Sequence, residues 1–240
     1  MRLVLILTTS LGIAKMARQR KLDHRFIARQ LTPFRQALQG GIGKVLTYNG
    51  GRFNSKAYSR CSSVGIFDRK NTSEKGKPKI ALIVDCSGSM GGAPIVGAAH
   101  MCAILSKLDQ ANAIEARIFC TGASKGKGGG FRVPLPQPDF VWEYLAAYHG
   151  HEFLSQTFTK FRQEIVDCDL VACYTDADIC DKKLNPSLWR SRGTSCVGLY
   201  CGDVGQVDVM NRYFDFSIAR ETPSALFHEY LRLVKRLLDK

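Results

Sequence analysis

Asp85, Ser87 and Ser89 stand at alternate positions directly behind the apolar run at 80–84, Ile-Ala-Leu-Ile-Val. A carboxylate and two hydroxyls are hard oxygen donors, the kind that Mg²⁺ takes in octahedral geometry while keeping some of its waters. The apolar run, with its β-branched members, reads as a strand buried on both faces, as in parallel sheets covered by helices. Ligands of such sheets bind outside the carboxyl ends of the strands, where the chain leaves for a helix. The three donors fall there, and Gly88, Gly91 and Gly92 permit the tight turn that lets them converge. A competing reading is that an Asp followed by two serines only caps a turn.

The spacing resembles the metal-ion-dependent adhesion site of von Willebrand factor A domains, whose Asp-x-Ser-x-Ser motif follows the first strand. Asp85, Ser87 and Ser89 match that motif, and Met90 continues a common variant of it. The resemblance implies a bound Mg²⁺, or Mn²⁺ or Ca²⁺ in its place, and a second acidic residue after the fourth strand. Thr175-Asp176-Ala177 matches that second position, with Ala where the family commonly has Gly. Asp176 is thereby expected to be a ligand and Asp178 an outer partner, against the alternative that both acids cap the next turn. The third element departs from the family. Most members supply a threonine where this chain reads His149-Gly150-His151-Glu152. That departure is similar to the domain at the end of the cobaltochelatase large subunit, which has an acidic residue there, and it implies Glu152 as a ligand with His151 close by. The resemblance covers about residues 50–240. In that branch the domain works beside an AAA+ ATPase, and its metal accepts an acidic side chain from the partner. The implied function is a metal-dependent protein-docking module.

The elements that must position these residues follow from periodicity. Residues 95–108, behind Pro94, carry apolar positions at helical spacing, and 113–120 reads as a second strand. Residues 121–130 are too rich in glycine for regular structure, and 131–136 form a short edge strand limited by prolines. Helices are expected over 139–148 and 153–166, strands over 169–174, 195–201 and 213–218, and a closing amphipathic helix over 223–238. Strands alternating with helices predict an α/β fold: a doubly wound, mostly parallel six-stranded sheet with helices on both faces. It is expected to occupy residues 79–240, enough chain for a substantial core, after a basic extension at 1–78.

Charge divides the chain unevenly. Residues 1–79 hold 17 Lys/Arg against 3 Asp/Glu, and residues 80–240 hold 17 against 18. The positive excess precedes the sheet domain and suits phosphates or an acidic protein surface. Arg18, Arg20 and Lys21 fall on an expected helix with Arg25, Arg29 and Arg35. Arg52, Lys56 and Arg60 recur every four residues, which places them on one helical face, while Phe53 and Tyr58 between them could stack on bases. An electrostatic nucleic-acid binder is therefore the alternative function.

Other classes find less support. The apolar stretch at 3–14 is too short to span a bilayer and is followed by Lys15, Arg18, Arg20 and Lys21, so a cytoplasmic protein is expected, with Met16 as an alternative start. Nine cysteines, an odd number without a Cys-x-x-Cys pair, read as reduced core thiols. Residues 124–130 hold lysines and glycines but no Gly-Lys-Ser/Thr opening a helix, which excludes a phosphate loop. A metallohydrolase built on His149, His151 and Glu152 lacks any recognisable nucleophile and base pairing, and no catalytic step is assigned to the chain by itself.

Overall fold

The computed structural model describes residues 21–32, 44–47, 52–53, 67–70, 77–124, 127–147, 150–179, 184–189, 194–202 and 204–238. Six strands build the main sheet: β4 (Lys79–Val84), β5 (Glu115–Cys120), β8 (Phe131–Val133), β9 (Leu170–Thr175), β10 (Ser195–Cys201) and β11 (Phe216–Arg220). Their spatial order is β11-β10-β9-β4-β5-β8, and only β8 runs antiparallel to its neighbour. Counted along the chain within this sheet the order is 3-2-1-4-5-6, a doubly wound arrangement. Before it, β1 (Lys44–Thr47), β2 (Arg52–Phe53) and β3 (Phe67–Lys70) form a separate antiparallel sheet in the order β1-β3-β2.

Alternation along β4 shows how the two faces are filled, since successive side chains of a strand point to opposite sides. Ile80, Leu82 and Val84 enter one buried cluster with residues of α2 (Ala93–Gln110) and α7 (Pro223–Leu238) and with Trp142 of α3 (Asp139–Glu143). Ala81 and Ile83 enter the other, with Leu154 and Phe158 of α4 (Leu154–Lys160), Ile165 of α5 (Arg162–Ile165) and Met210 of α6 (Val207–Met210). Helix α2 is buried almost all round, which explains why it reads apolar rather than strongly amphipathic. A further helix, α1 (His24–Leu31), packs on the first face, and its Ile27 and Leu31, with the preceding Leu22, lie in the same cluster as β4. Part of the basic extension thus shares the core of the domain expected to begin at residue 79. All seven cysteines among the described residues are free thiols, and six are buried. Among the described residues no helix is long and apolar enough to cross a membrane.

Several elements differ from their sequence expectation. The helix expected at 139–148 stops at Glu143, where the chain closes a tighter turn through the Leu145 amide on the Trp142 carbonyl, 3.0 Å away. The helix expected at 153–166 breaks at Phe161, which leaves helical geometry (φ −103°, ψ 17°) while its ring packs on Phe119 at 4.8 Å between centroids. Within the glycine-rich stretch, β6 (Ala123–Ser124) pairs with β7 (Lys127–Gly128) in a small ribbon, so backbone pairing there does not need side-chain patterning. The last strand lies at Phe216–Arg220 rather than 213–218, because Tyr213 and Phe214 close a turn on the Met210 carbonyl. Arg52 sits in β2, a strand, which removes the helical face proposed for Arg52, Lys56 and Arg60. Lys56 and Arg60, like Arg18 and Arg20, lie outside the described residues.

Candidate metal centre

Strand β4 leads through α2 on the first face to β5, and β9 leads over the second face to β10. The connections diverge between β4 and β9, so the crevice at their carboxyl ends is the topological switch point of the sheet, where such folds bind ligands. Asp85 opens that crevice. Its amide donates to the Tyr174 carbonyl of β9 at 2.9 Å, and the following Cys86 amide donates to Thr121 Oγ1, beyond β5, at 2.9 Å. The loop that begins at Asp85 is therefore tied to both neighbours of β4. Ser87 precedes a short 3₁₀ turn, Gly88–Met90, which swings Ser89 back toward it.

The Asp85 carboxylate is wholly buried. Its Oδ1 accepts from the Ser87 amide and its Oδ2 accepts from the Thr175 hydroxyl, both at 2.9 Å. Burial pushes this carboxyl up to about 6, against the lowering effect of the hydrogen bonds from Ser87 and Thr175, and the negative charge of Asp176 adds to the rise. The ion pairs among the described residues lie elsewhere, notably at the amino edge of the sheet where Lys79 and Arg117 meet Asp167 at 2.6 and 3.1 Å. A buried anion without a cationic partner is costly unless it meets a metal or takes up a proton.

The hydroxyls complete the donor set. Ser87 Oγ and Ser89 Oγ lie 3.0 Å apart, matching the edge of about 3.0 Å between adjacent ligands of an octahedron with Mg–O bonds of ~2.1 Å. Ser87 is buried and Ser89 exposed, so the pair runs from the floor of the crevice to its mouth. Asp176 follows β9, half-buried, and its Oδ1 accepts from the Asp178 amide at 3.2 Å. Asp178 is exposed. Ala177 takes a left-handed conformation (φ 67°) at the position where the resembling family commonly has glycine.

Glu152 is buried just before α4, and no hydrogen bond or ion pair joins it to Asp85, Ser87 or Ser89 among the described residues. His151 is exposed, its ring edge-on to Phe153 at 5.8 Å. His149 lies outside the described residues. No group of three His, Cys, Asp or Glu side chains able to hold a metal ion occurs among the described residues. Any ion here draws on serine hydroxyls as well as carboxylates. Two residues that sequence reasoning did not assign to the site are Thr175 and Thr121, which orient Asp85 and its loop. The only sequence signal for them is a hydroxyl at the last position of one apolar strand and directly after another.

Lys21 is exposed at the head of α1, and Arg25 and Arg29 are exposed along that helix. No family model matches the chain, and no curated protein matches it either.

Proposed function

We propose that this chain is a metal-dependent protein-docking module of the von Willebrand factor A type. Asp85, Ser87 and Ser89 would hold the cation, with Asp176 and Glu152 closing its shell and one position left for an Asp or Glu of a partner. The observation that carries this reading is the buried Asp85 carboxylate, without a cationic partner among the described residues, beside two serine hydroxyls at octahedral-edge spacing, at the switch point of a doubly wound sheet. A Mg²⁺ held there would supply positive charge beside Asp85 and a Lewis-acidic position for an incoming carboxylate. Ser87 and Thr175 orient the Asp85 carboxylate, the Ser87 amide donating to Oδ1 and the Thr175 hydroxyl to Oδ2. The resemblance to the cobaltochelatase large-subunit branch supports an AAA+ ATPase as partner, in a chelatase-like or remodelling system.

The test is direct cation titration of the full chain by calorimetry with Mg²⁺ and by electron paramagnetic resonance with Mn²⁺. Asp85→Ala should lose binding while its circular dichroism stays native. Undiminished binding by that variant would remove the site from Asp85.

A second reading rests on the charge of residues 1–79 and on the exposed row Lys21, Arg25 and Arg29. It makes the chain an electrostatic nucleic-acid binder. Affinity for duplex or single-stranded probes would then fall steeply with salt and ignore chelator, whereas docking through the metal would do the reverse.

A further inference from the structure

A cavity of about 600 Å³ opens between α1, the first turns of α2 and the head of α7. Its walls include Phe26, Ala93, Val96, His100, Thr222 and Pro223. Its mouth lies on the same edge of the sheet as the candidate metal centre: β4 and β11 run parallel within the sheet, and the cavity residues of α2 and α7 follow their carboxyl ends. Gly92, at the cavity rim, is separated from Ser89 only by Met90 and Gly91. The four Cα-to-Cα steps from Ser89 to Ala93 span no more than about 14 Å of extended chain.

Of the polar side chains in the wall, His100 and Thr222 have partners within the chain, and Ser224 is an exposed hydroxyl. His100 Nδ1 lies 2.7 Å from the Val96 carbonyl and its Nε2 accepts from the Asp23 amide at 2.9 Å, which fixes the Nδ1–H tautomer and leaves ring carbon toward other neighbours. The Thr222 hydroxyl accepts from the Ala225 amide at 3.3 Å. The wall therefore offers mainly carbon, in a volume typical of ligand pockets. Asp23, an anion whose carboxyl the Phe26 amide holds below its ordinary value, stands at the mouth and disfavours a second acidic group.

We infer that this cavity is the specificity pocket of the docking surface, filled by an aliphatic or aromatic side chain two to four residues from the partner's metal-seeking carboxylate. The inference rests on the docking reading above and adds to it the class of partner segment: one acidic residue coupled to one apolar anchor. Such an anchor in a desolvated pocket is where binding energy of a peptide concentrates.

Peptides displayed on phage and selected on the immobilised full chain in Mg²⁺ provide the test, followed by synthetic peptides measured against the parent and against Val96→Glu and Ala93→Trp. Both variants should keep native circular dichroism and cation binding. The expected peptides carry Asp or Glu with Leu, Met, Phe or Trp two to four positions away, lose at least tenfold when that residue becomes Ala, and lose as much on either variant. Mg²⁺-dependent acidic peptides that bind both variants as tightly as the parent overturn the pocket and leave the docking reading standing. Peptides that survive chelator, or a selection that returns no Mg²⁺-dependent sequence, overturn both.

Discussion

At the scale of single residues, the burial of Asp85 couples its protonation to the stability of the fold. Its folded-state value of about 6 lies above the ordinary 3.8, with burial as the main cause. The native state therefore holds this proton more tightly than the unfolded chain, and metal-free protein loses stability as pH rises from about 4 to about 6, staying at that level above. A rise of about two units corresponds to roughly 3 kcal/mol. Asp85→Asn keeps the shape and the hydrogen-bonding capacity toward the Ser87 amide and Thr175 hydroxyl but carries no charge. Without metal it should be more stable than the parent at pH 7.5 by up to about 3 kcal/mol, a gap that closes toward pH 4. Saturating Mg²⁺ should then stabilise the parent alone. Urea denaturation across pH, with and without Mg²⁺, reads both effects. A difference that does not vary with pH would mean that Asp85 is not the titrating group. Thr175 gives a second, smaller effect: Thr175→Val removes a donor to Asp85 Oδ2, and should weaken Mg²⁺ binding in calorimetry without abolishing it.

At the scale of elements, the close approach of α2 to β9 rests on one glycine. A Cβ at Gly97 would overlap the Tyr174 hydroxyl, which is buried and has no hydrogen-bond partner among the described residues. Gly97→Ala gains about 1 kcal/mol of helix propensity and should still destabilise by about 1–2 kcal/mol because of overpacking. Tyr174→Phe removes the offending oxygen, so the double variant should recover most of that loss in thermal melts. Simple addition of the two single effects would place the strain elsewhere. The same elements show what could be read in advance. Strands β4, β9 and β10 and helices α2 and α7 were legible because their apolar runs are long and their periods unambiguous. The candidate site stood out in the sequence only as three oxygen donors directly behind a strand, and the structure places them at that strand's carboxyl end. The break at Phe161 was not, since it comes from a tertiary packing partner, Phe119, far away in sequence. Nor was the ribbon of β6 and β7, where backbone pairing joins Ala123 to Gly128 and Ser124 to Lys127. Thr175 and Thr121 were invisible as site residues because their role depends on strand neighbours that only the sheet order defines.

At the scale of the whole molecule, composition suggests a basic arm joined to a neutral sheet domain at residue 79, and α1 of that arm packs on the sheet domain. The Leu22 amide donates to Glu143, the Asp23 amide to His100, and Phe26 stacks against both His100 and Phe227 at 5.4 Å, while Ile27 and Leu31 are buried among core side chains. Helix α1 is therefore amphipathic by design of its position: Ile27 faces the core, and Arg25 and Arg29 face solvent. Charge and core contribution reside in one short helix, so deleting the extension confounds two functions. Ile27→Ala should destabilise the chain by about 2–4 kcal/mol, as for other large-to-small core changes, and a chain starting at residue 79 should unfold at a lower urea midpoint than one starting at residue 21. Arg25→Glu combined with Arg29→Glu instead reverses the exposed charge and leaves the buried face intact. That double variant should unfold at nearly the parent midpoint yet lose any salt-sensitive affinity for nucleic acid carried by α1. If it binds Mg²⁺-dependent peptides as the parent does, the two surfaces act independently, with α1 serving the docking edge only as a wall of its cavity.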